Sequence, residues 1–186
     1  IRFLPEAWNV AAAAAAGWKW LMGPVGPGLL YTSPALRARL ALTMAGADVM
    51  KQGEDYLNHA WQPFTDGRMF EYSTVSFSLA AALAESIRGL PLRYGIDQVQ
   101  AEIFRLQDVF LSRLDARFEP VRFHGVERSA ILSVVLPPDL DPKKAAEELG
   151  KKNIRLTSRG GYLRVAPHIA NTDEDLQKTA DALNAL

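Results

Sequence analysis

The sequence predicts an α/β protein whose second half is a small α+β unit. Three observations lead there. A dense Gly/Pro stretch, Met22-Gly23-Pro24-Val25-Gly26-Pro27-Gly28, admits neither helix nor regular strand and runs into the apolar Leu29-Leu30-Tyr31-Thr32. From Ile96 onward, apolar residues recur three and four apart, as on one face of a long helix. Beyond it, short β-branched and aliphatic runs alternate with capped helices to the end of the chain.

Taken in order, the chain opens at Ile1 and runs into Ala11 to Ala16. Six alanines have the composition of a helix former. They also have the look of placeholders for unassigned side chains, and that second reading is preferred. The opening suggests the C-terminal part of something longer. After the Gly/Pro loop, Leu29 to Thr32 reads as a short buried strand ended by Ser33-Pro34. Arg37 to Pro63 is mixed, with helical pieces and no clean period. Ser76 to Leu90 is Ala- and Leu-rich, a helix expected to stop at Gly89 and Pro91.

Ile96, Val99, Ile103, Leu106, Phe110 and Leu114 then mark the buried face of a long amphipathic helix. Val121 to His124 and Ala130 to Leu136 read as strands. Asp141-Pro142 is an N-cap followed by proline at the first helical position, opening a helix through Leu149 that ends at Gly150. Ile154 to Thr157 and Tyr162 to Val165 read as strands around the Gly160-Gly161 turn. Asn171 to Asp175 opens the last helix, with acidic residues where its dipole favours them. The expected division is residues 1–91, the end of a larger α/β domain, and 92–186, a small α+β domain.

Composition narrows the function. The 186 residues are 48% hydrophobic with a formal net charge of zero, which removes the electrostatic case for nucleic acid or an anionic membrane. No cysteine is present, so no disulfide, thiolate metal site or cysteine nucleophile exists here, and the cytoplasm is a compatible compartment. Lys19 and several Gly and Pro interrupt the apolar run from Val10 to Tyr31, so no membrane span is expected. His59, His124 and His168 have no ligand spacing, and no metal is expected. Lys143, Lys144, Glu147, Glu148, Lys151 and Lys152 read as a solvated helix face with i,i+4 pairs. The glycines from Gly23 to Gly28 lack the Gly-Lys-Ser/Thr ending of a nucleotide loop.

The chemical candidate is Lys19, in Gly17-Trp18-Lys19-Trp20-Leu21. Schiff-base chemistry needs a lysine whose amine is partly neutral and fixed in place. Flanking tryptophans can supply an apolar setting, and a Gly/Pro loop can pass close to a bulky cofactor. Against this, a lysine between tryptophans is more often a snorkelling surface residue.

Three segments together decide the weighting. Gly17-Trp18-Lys19-Trp20-Leu21-Met22-Gly23-Pro24, with Gly26, Gly28 and Leu29-Leu30-Tyr31, resembles the cofactor-lysine signature of class V aminotransferase-like enzymes. Trp18 stands where many members have histidine. Arg68-Met69-Phe70-Glu71-Tyr72-Ser73-Thr74 is similar to the family's Arg-Phe-Glu-x-Gly-Thr element, with Met69 inserted and Ser73 in place of glycine. Tyr162-Leu163-Arg164-Val165-Ala166-Pro167-His168-Ile169-Ala170-Asn171-Thr172 resembles the Leu-Arg-Val-Ser-Pro-His-x-Tyr-Asn-Thr element, with Ala170 for tyrosine.

The resemblance implies the C-terminal portion of a fold-type I enzyme dependent on pyridoxal 5′-phosphate (PLP). It implies that Lys19 holds PLP as a Schiff base and that Thr74 contacts the PLP phosphate of the partner subunit in a homodimer. It also implies that Arg164 grips the α-carboxylate of an amino-acid-like substrate, a bidentate task suited to guanidinium. A further domain's worth of residues precedes the lysine in such enzymes. Ser158-Arg159-Gly160-Gly161 contains no cysteine, which argues against desulfuration through a persulfide. Aminotransferase chemistry is expected first. An epimerase, a cysteine-independent lyase and an inactive dimerisation module are the alternatives.

Overall fold

The computed structural model describes residues 2–121 and 128–186. It forms two units, Phe3–Arg93 and Tyr94–Leu186, and Arg2 belongs with the second. Arg2 is tied there by its ion pair with Asp97 at 3.4 Å and by its backbone N–H, which donates to Gln100 at 3.0 Å.

In the first unit, β1 (Ala12–Ala16) pairs antiparallel with β2 (Gly28–Thr32), in register from Ala12 against Thr32 to Ala16 against Gly28. The alanine run is therefore extended, not helical. A run of six is too short to sustain a helix alone, whereas pairing with β2 satisfies its backbone at once. The expected strand at residues 29–32 is present. Gly28 lets the strands close up, since a Cβ there would stand 2.5 Å from the Ala15 carbonyl oxygen. The ribbon is thinly covered, with Leu29 and Leu30 46% and 55% exposed.

A short helix, α1 (Pro34–Arg37), follows, capped by Ser33, whose Oγ accepts from the Leu36 N–H at 3.1 Å. Single 3-10 turns at Ala47–Val49 and Gly67–Phe70 flank a loop closed by an isolated bridge between Met50 and Pro63. Next comes α2 (Phe77–Ile87). The sequence predicts that this helix stops near Gly89, yet the chain continues as a π-helical stretch, Arg88–Gly95, straight past Pro91. A proline ring collides with the carbonyl four residues back in an α-helix, and the wider i→i+5 turn relieves that collision. Gly95, at φ +86°, ends the stretch.

The second unit begins with α3 (Ile96–Arg113), which buries Val99, Ile103, Leu106 and Phe110, the stripe the spacing predicts. Its sheet is wholly antiparallel in the order β3-β4-β6-β5: β3 (Glu119–Pro120), β4 (Leu132–Val135), β5 (Thr157–Arg159) and β6 (Tyr162–Val165). Of the strand expected at 121–124, Val121 extends β3 by donating to the Ser133 carbonyl at 2.8 Å, and the remainder, His124 included, lies outside the described residues. The strand expected at 154–157 starts later, at Thr157, because its register is set by the hairpin turn. Gly160 and Gly161, both left-handed at φ +57° and +84°, make a two-residue turn that pairs Arg159 with Tyr162.

Two helices complete the unit. In α4 (Pro142–Lys151), Asp141 caps by accepting from the Lys143 and Lys144 N–H groups. On its solvated face the structure gives one ion pair, Lys151 to Glu148 at spacing i,i+3, in place of the expected i,i+4 pairs. α5 (Asp173–Asn184) opens with a capping box between Thr172 and Asp175. Phe110, Val134, Leu149, Leu163, Val165, Leu176 and Leu183 form one contiguous core. Along the outside, Arg105 reaches Asp173 at 2.6 Å and Arg113 reaches Asp181 at 2.6 Å, fastening α3 to α5.

Candidate functional site

Lys19 sits at the tip of a loop whose neck is made by glycines. The Gly17 N–H donates to the Pro27 carbonyl at 3.0 Å, and the Gly17 carbonyl accepts from the Gly23 N–H at 2.9 Å. Within the loop, the Met22 N–H closes a turn onto the Lys19 carbonyl at 3.0 Å. Residues 18–22 therefore project as a small closed loop from the end of the β1–β2 ribbon. Lys19 is exposed, as a lysine between tryptophans more often is, and the apolar setting those rings could supply is not formed. Its Nζ lies instead 4.9 Å from the centre of the Trp18 ring, a cation–π contact. Among the described residues the amine makes no ion pair.

Thr74 belongs to the same unit and is exposed, on the loop between the 3-10 turn and α2. That loop is anchored at two places. Asp66 caps the turn and takes Arg68 in a forked ion pair of 2.6 Å, which holds the Asp66 carboxyl down at about 2. Arg68 also lies 3.7 Å over the Phe64 ring, a cation–π contact. Gly46 backs directly onto the Tyr72 carbonyl, two residues before Thr74.

Arg164 lies in the other unit, in β6, in register with Ser133 of β4 and Thr157 of β5. Its neighbours Leu163 and Val165 are buried in the core, so alternation puts Arg164 on the opposite face of the sheet. Its Nε is buried and has no hydrogen-bond partner among the described residues. Arg164 also lines a cavity of about 350 Å3 together with Arg155, Thr157, Asn171, Asp175 and Lys178. Sequence reasoning marked neither Arg155 nor Lys178, because a single cation on a strand or helix carries no pattern. Asn171 holds the chain after β6 by accepting from the His168 N–H at 3.0 Å and donating to Asp175 at 3.5 Å.

The family model of aminotransferase class-V matches residues 5–178. The chain belongs to the class-V aminotransferase family. Solved structures share the fold: a cysteine desulfurase from Thermococcus onnurineus NA1 is 20% identical with a TM-score of 0.79, covering 97% of this chain and 48% of its own. The cystine C-S lyase C-DES is 17% identical with a TM-score of 0.81 over 97% and 48%. An alanine–glyoxylate aminotransferase from Nostoc sp. is 16% identical with a TM-score of 0.71 over 100% and 50%. This class-V chain thus has an α/β fold of the fold-type I kind and spans about half the length of the solved structures it matches. No curated protein matches it in sequence.

The cofactor of the class-V family is PLP. The residues present fit an aldehyde-bearing, phosphorylated cofactor. Lys19 presents an exposed primary amine, with no ion pair among the described residues, on a loop whose neck is closed by Gly17 and Gly23. An exposed hydroxyl, Thr74, lies in the same unit. Among the described residues, no group of three His, Asp or Glu is arranged to hold a metal, and no helix is long and apolar enough to cross a membrane.

Proposed function

We propose that this chain carries the cofactor lysine and the substrate clamp of a PLP-dependent enzyme acting on an amino acid or amine, and that its reaction is transamination. The observation behind this is the Lys19 amine, exposed and without an ion pair among the described residues, at the tip of a loop closed by Gly17 and Gly23 in a chain of the class-V family. Phe3–Arg93 would be the end of the PLP-binding large domain and Tyr94–Leu186 the small domain.

PLP bound through an amine supplies an electron sink for charge that develops on the substrate carbon. The chain's residues supply the rest. Lys19 would hold the cofactor through Nζ, and the same amine would carry a proton during the reaction. Arg164 orients a substrate carboxylate: its buried Nε is a donor short of an acceptor among the described residues, and a carboxylate supplies one. The Thr74 hydroxyl is assigned to the phosphate of a partner subunit's cofactor, which makes the active form a homodimer. The cysteine-free composition fits a reducing compartment such as the cytoplasm.

A lyase reading has its own support, since the desulfurase and the C-S lyase have higher TM-scores than the aminotransferase. The absence of cysteine from the Ser158–Gly161 turn argues against the persulfide route to that chemistry. Incubating the protein with PLP should give an absorbance band that borohydride bleaches, with the label on Lys19. Retention of the full band in Lys19→Ala would sink the anchor assignment. Conversion of the cofactor to its pyridoxamine form by amino acids supports transamination. Release of ammonia and a keto acid without that conversion supports the lyase.

A further inference from the structure

The neck of the Lys19 loop rests on a single helix side chain. Leu83, 5% exposed, is the buried residue of α2. A Cβ added at Gly17 would stand 2.7 Å from Leu83 Cδ1 and 2.9 Å from the Pro27 carbonyl oxygen, and one added at Gly23 would stand 2.8 Å from the same Leu83 atom and 3.0 Å from the Gly17 carbonyl oxygen. Neither glycine has a left-handed φ. Both positions therefore need glycine for space and not for backbone freedom. Three residues on, along the same helix face, Ser86 Oγ lies 3.4 Å from the Met22 carbonyl oxygen. Met22 is itself left-handed at φ +55°, an uncommon conformation for a side-chain-bearing residue that its surroundings must hold in place. So α2 meets the loop at both glycines of the neck and at the end of the turn that starts with Lys19.

We infer that Leu83 is a positioning residue for Lys19, seating the glycine neck of the lysine loop on α2. The inference rests on the proposal that Lys19 anchors the cofactor. Hydrogen bonds between Gly17, Gly23 and Pro27 fix the shape of the neck. They do not fix its tilt, which is set by what the neck packs against. The two glycines let backbone lie directly on the Leu83 methyls, a contact with no slack. Removing those methyls opens a void into which the neck settles, and the lysine at the tip moves with it. Small displacements of a reacting group are costly, with about 1 Å enough for a 10²-fold loss.

Size exchange across the contact tests this. In the PLP-treated protein, Leu83→Ala and Gly23→Ala should each weaken the borohydride-sensitive band and shift the pH midpoint of its absorbance. The double variant, in which the new methyl occupies the vacated space, should recover part of both losses. Such non-additivity is the mark of direct contact. Leu83→Met, which conserves volume, should keep the band. Amide exchange over residues 17–23 should quicken in Leu83→Ala and return in Leu83→Met. A Leu83→Ala protein with lowered melting temperature but unchanged midpoint and unchanged exchange at 17–23 would overturn the inference. If the unmodified protein forms no band, the anchor reading fails, and the exchange comparison still decides whether Leu83 seats the loop.

Discussion

Gly46 and Tyr72 are in backbone contact: a Cβ on Gly46 would fall inside bonding range of the Tyr72 carbonyl oxygen. Gly46 has an extended backbone, φ −160°, so the demand for glycine is purely one of room. Gly46→Ala is expected to push the 72–76 loop, and Thr74 with it, away from its seat. The cost should be about 1–3 kcal/mol, as for other overpacked sites, or more because the obstacle is backbone. Urea unfolding of the variant beside the unmodified protein measures it.

Acid should loosen the pairing of α3 with α5. Arg105 holds the Glu102 and Asp173 carboxyls below their ordinary values, Arg113 does the same for Asp181, and the Thr172 N–H for Asp175. Groups whose values are depressed in the folded state add stability above their unfolded values, near 4, and that stability is lost as pH falls through the lowered folded values. Melting temperature should therefore be flat between about pH 7 and pH 5 and decline below about pH 4. An α3–α5 pairing signal should be lost at the low end. A protein whose melting point rose on acidification would contradict this.

The cap of α5 can be removed with a single atom group. Thr172 Oγ1 accepts from the Asp175 N–H at 3.2 Å, and Asp175 Oδ2 accepts from the Thr172 N–H at 3.0 Å. Thr172→Ala breaks one half of that exchange and should cost about 1 kcal/mol. Thr172→Asn should retain most of the stability, which a thermal melt of the pair would register.

Arg164→Ala should weaken carboxylate ligands by about 1.5–3 kcal/mol, the worth of a charge-assisted hydrogen bond. The same ligands as amides should lose little. Titrating a carboxylate and its amide against both proteins separates a carboxylate clamp from a cation that merely shapes the sheet. Arg155 and Lys178 line the same cavity, so Arg155→Ala is a useful comparison for how local the effect is.

Where the sequence carries a period or a cap, the fold is legible. The α3 stripe, the Asp141-Pro142 start of α4, the acidic opening of α5 and the Gly160-Gly161 hairpin all announce themselves in local chemistry. The roles proposed for Lys19, Thr74 and Arg164 rest on family resemblance, because each stands in a segment that resembles a family element. What could not be read is what depends on distant partners. The alanine run takes its form from β2, the path past Pro91 from a wider turn, and the need for glycine at 17, 23 and 46 from Leu83 and Tyr72. A glycine needed for room looks the same in sequence as one needed for a turn.

The β1–β2 ribbon has a consequence for handling the protein. It is two strands wide, so among the described residues each strand leaves one edge without a partner, and the β1 edge is a row of alanines with no charge, proline or bulge. Such an edge is a template for another chain. A sample of these 186 residues should therefore self-associate through this ribbon, visible as light scattering that grows with time and concentration. Ala14→Lys, placing a charge opposite Leu30, should delay it without touching the lysine loop. The edge that invites another strand is thus a run of five small side chains given no part in the proposed chemistry.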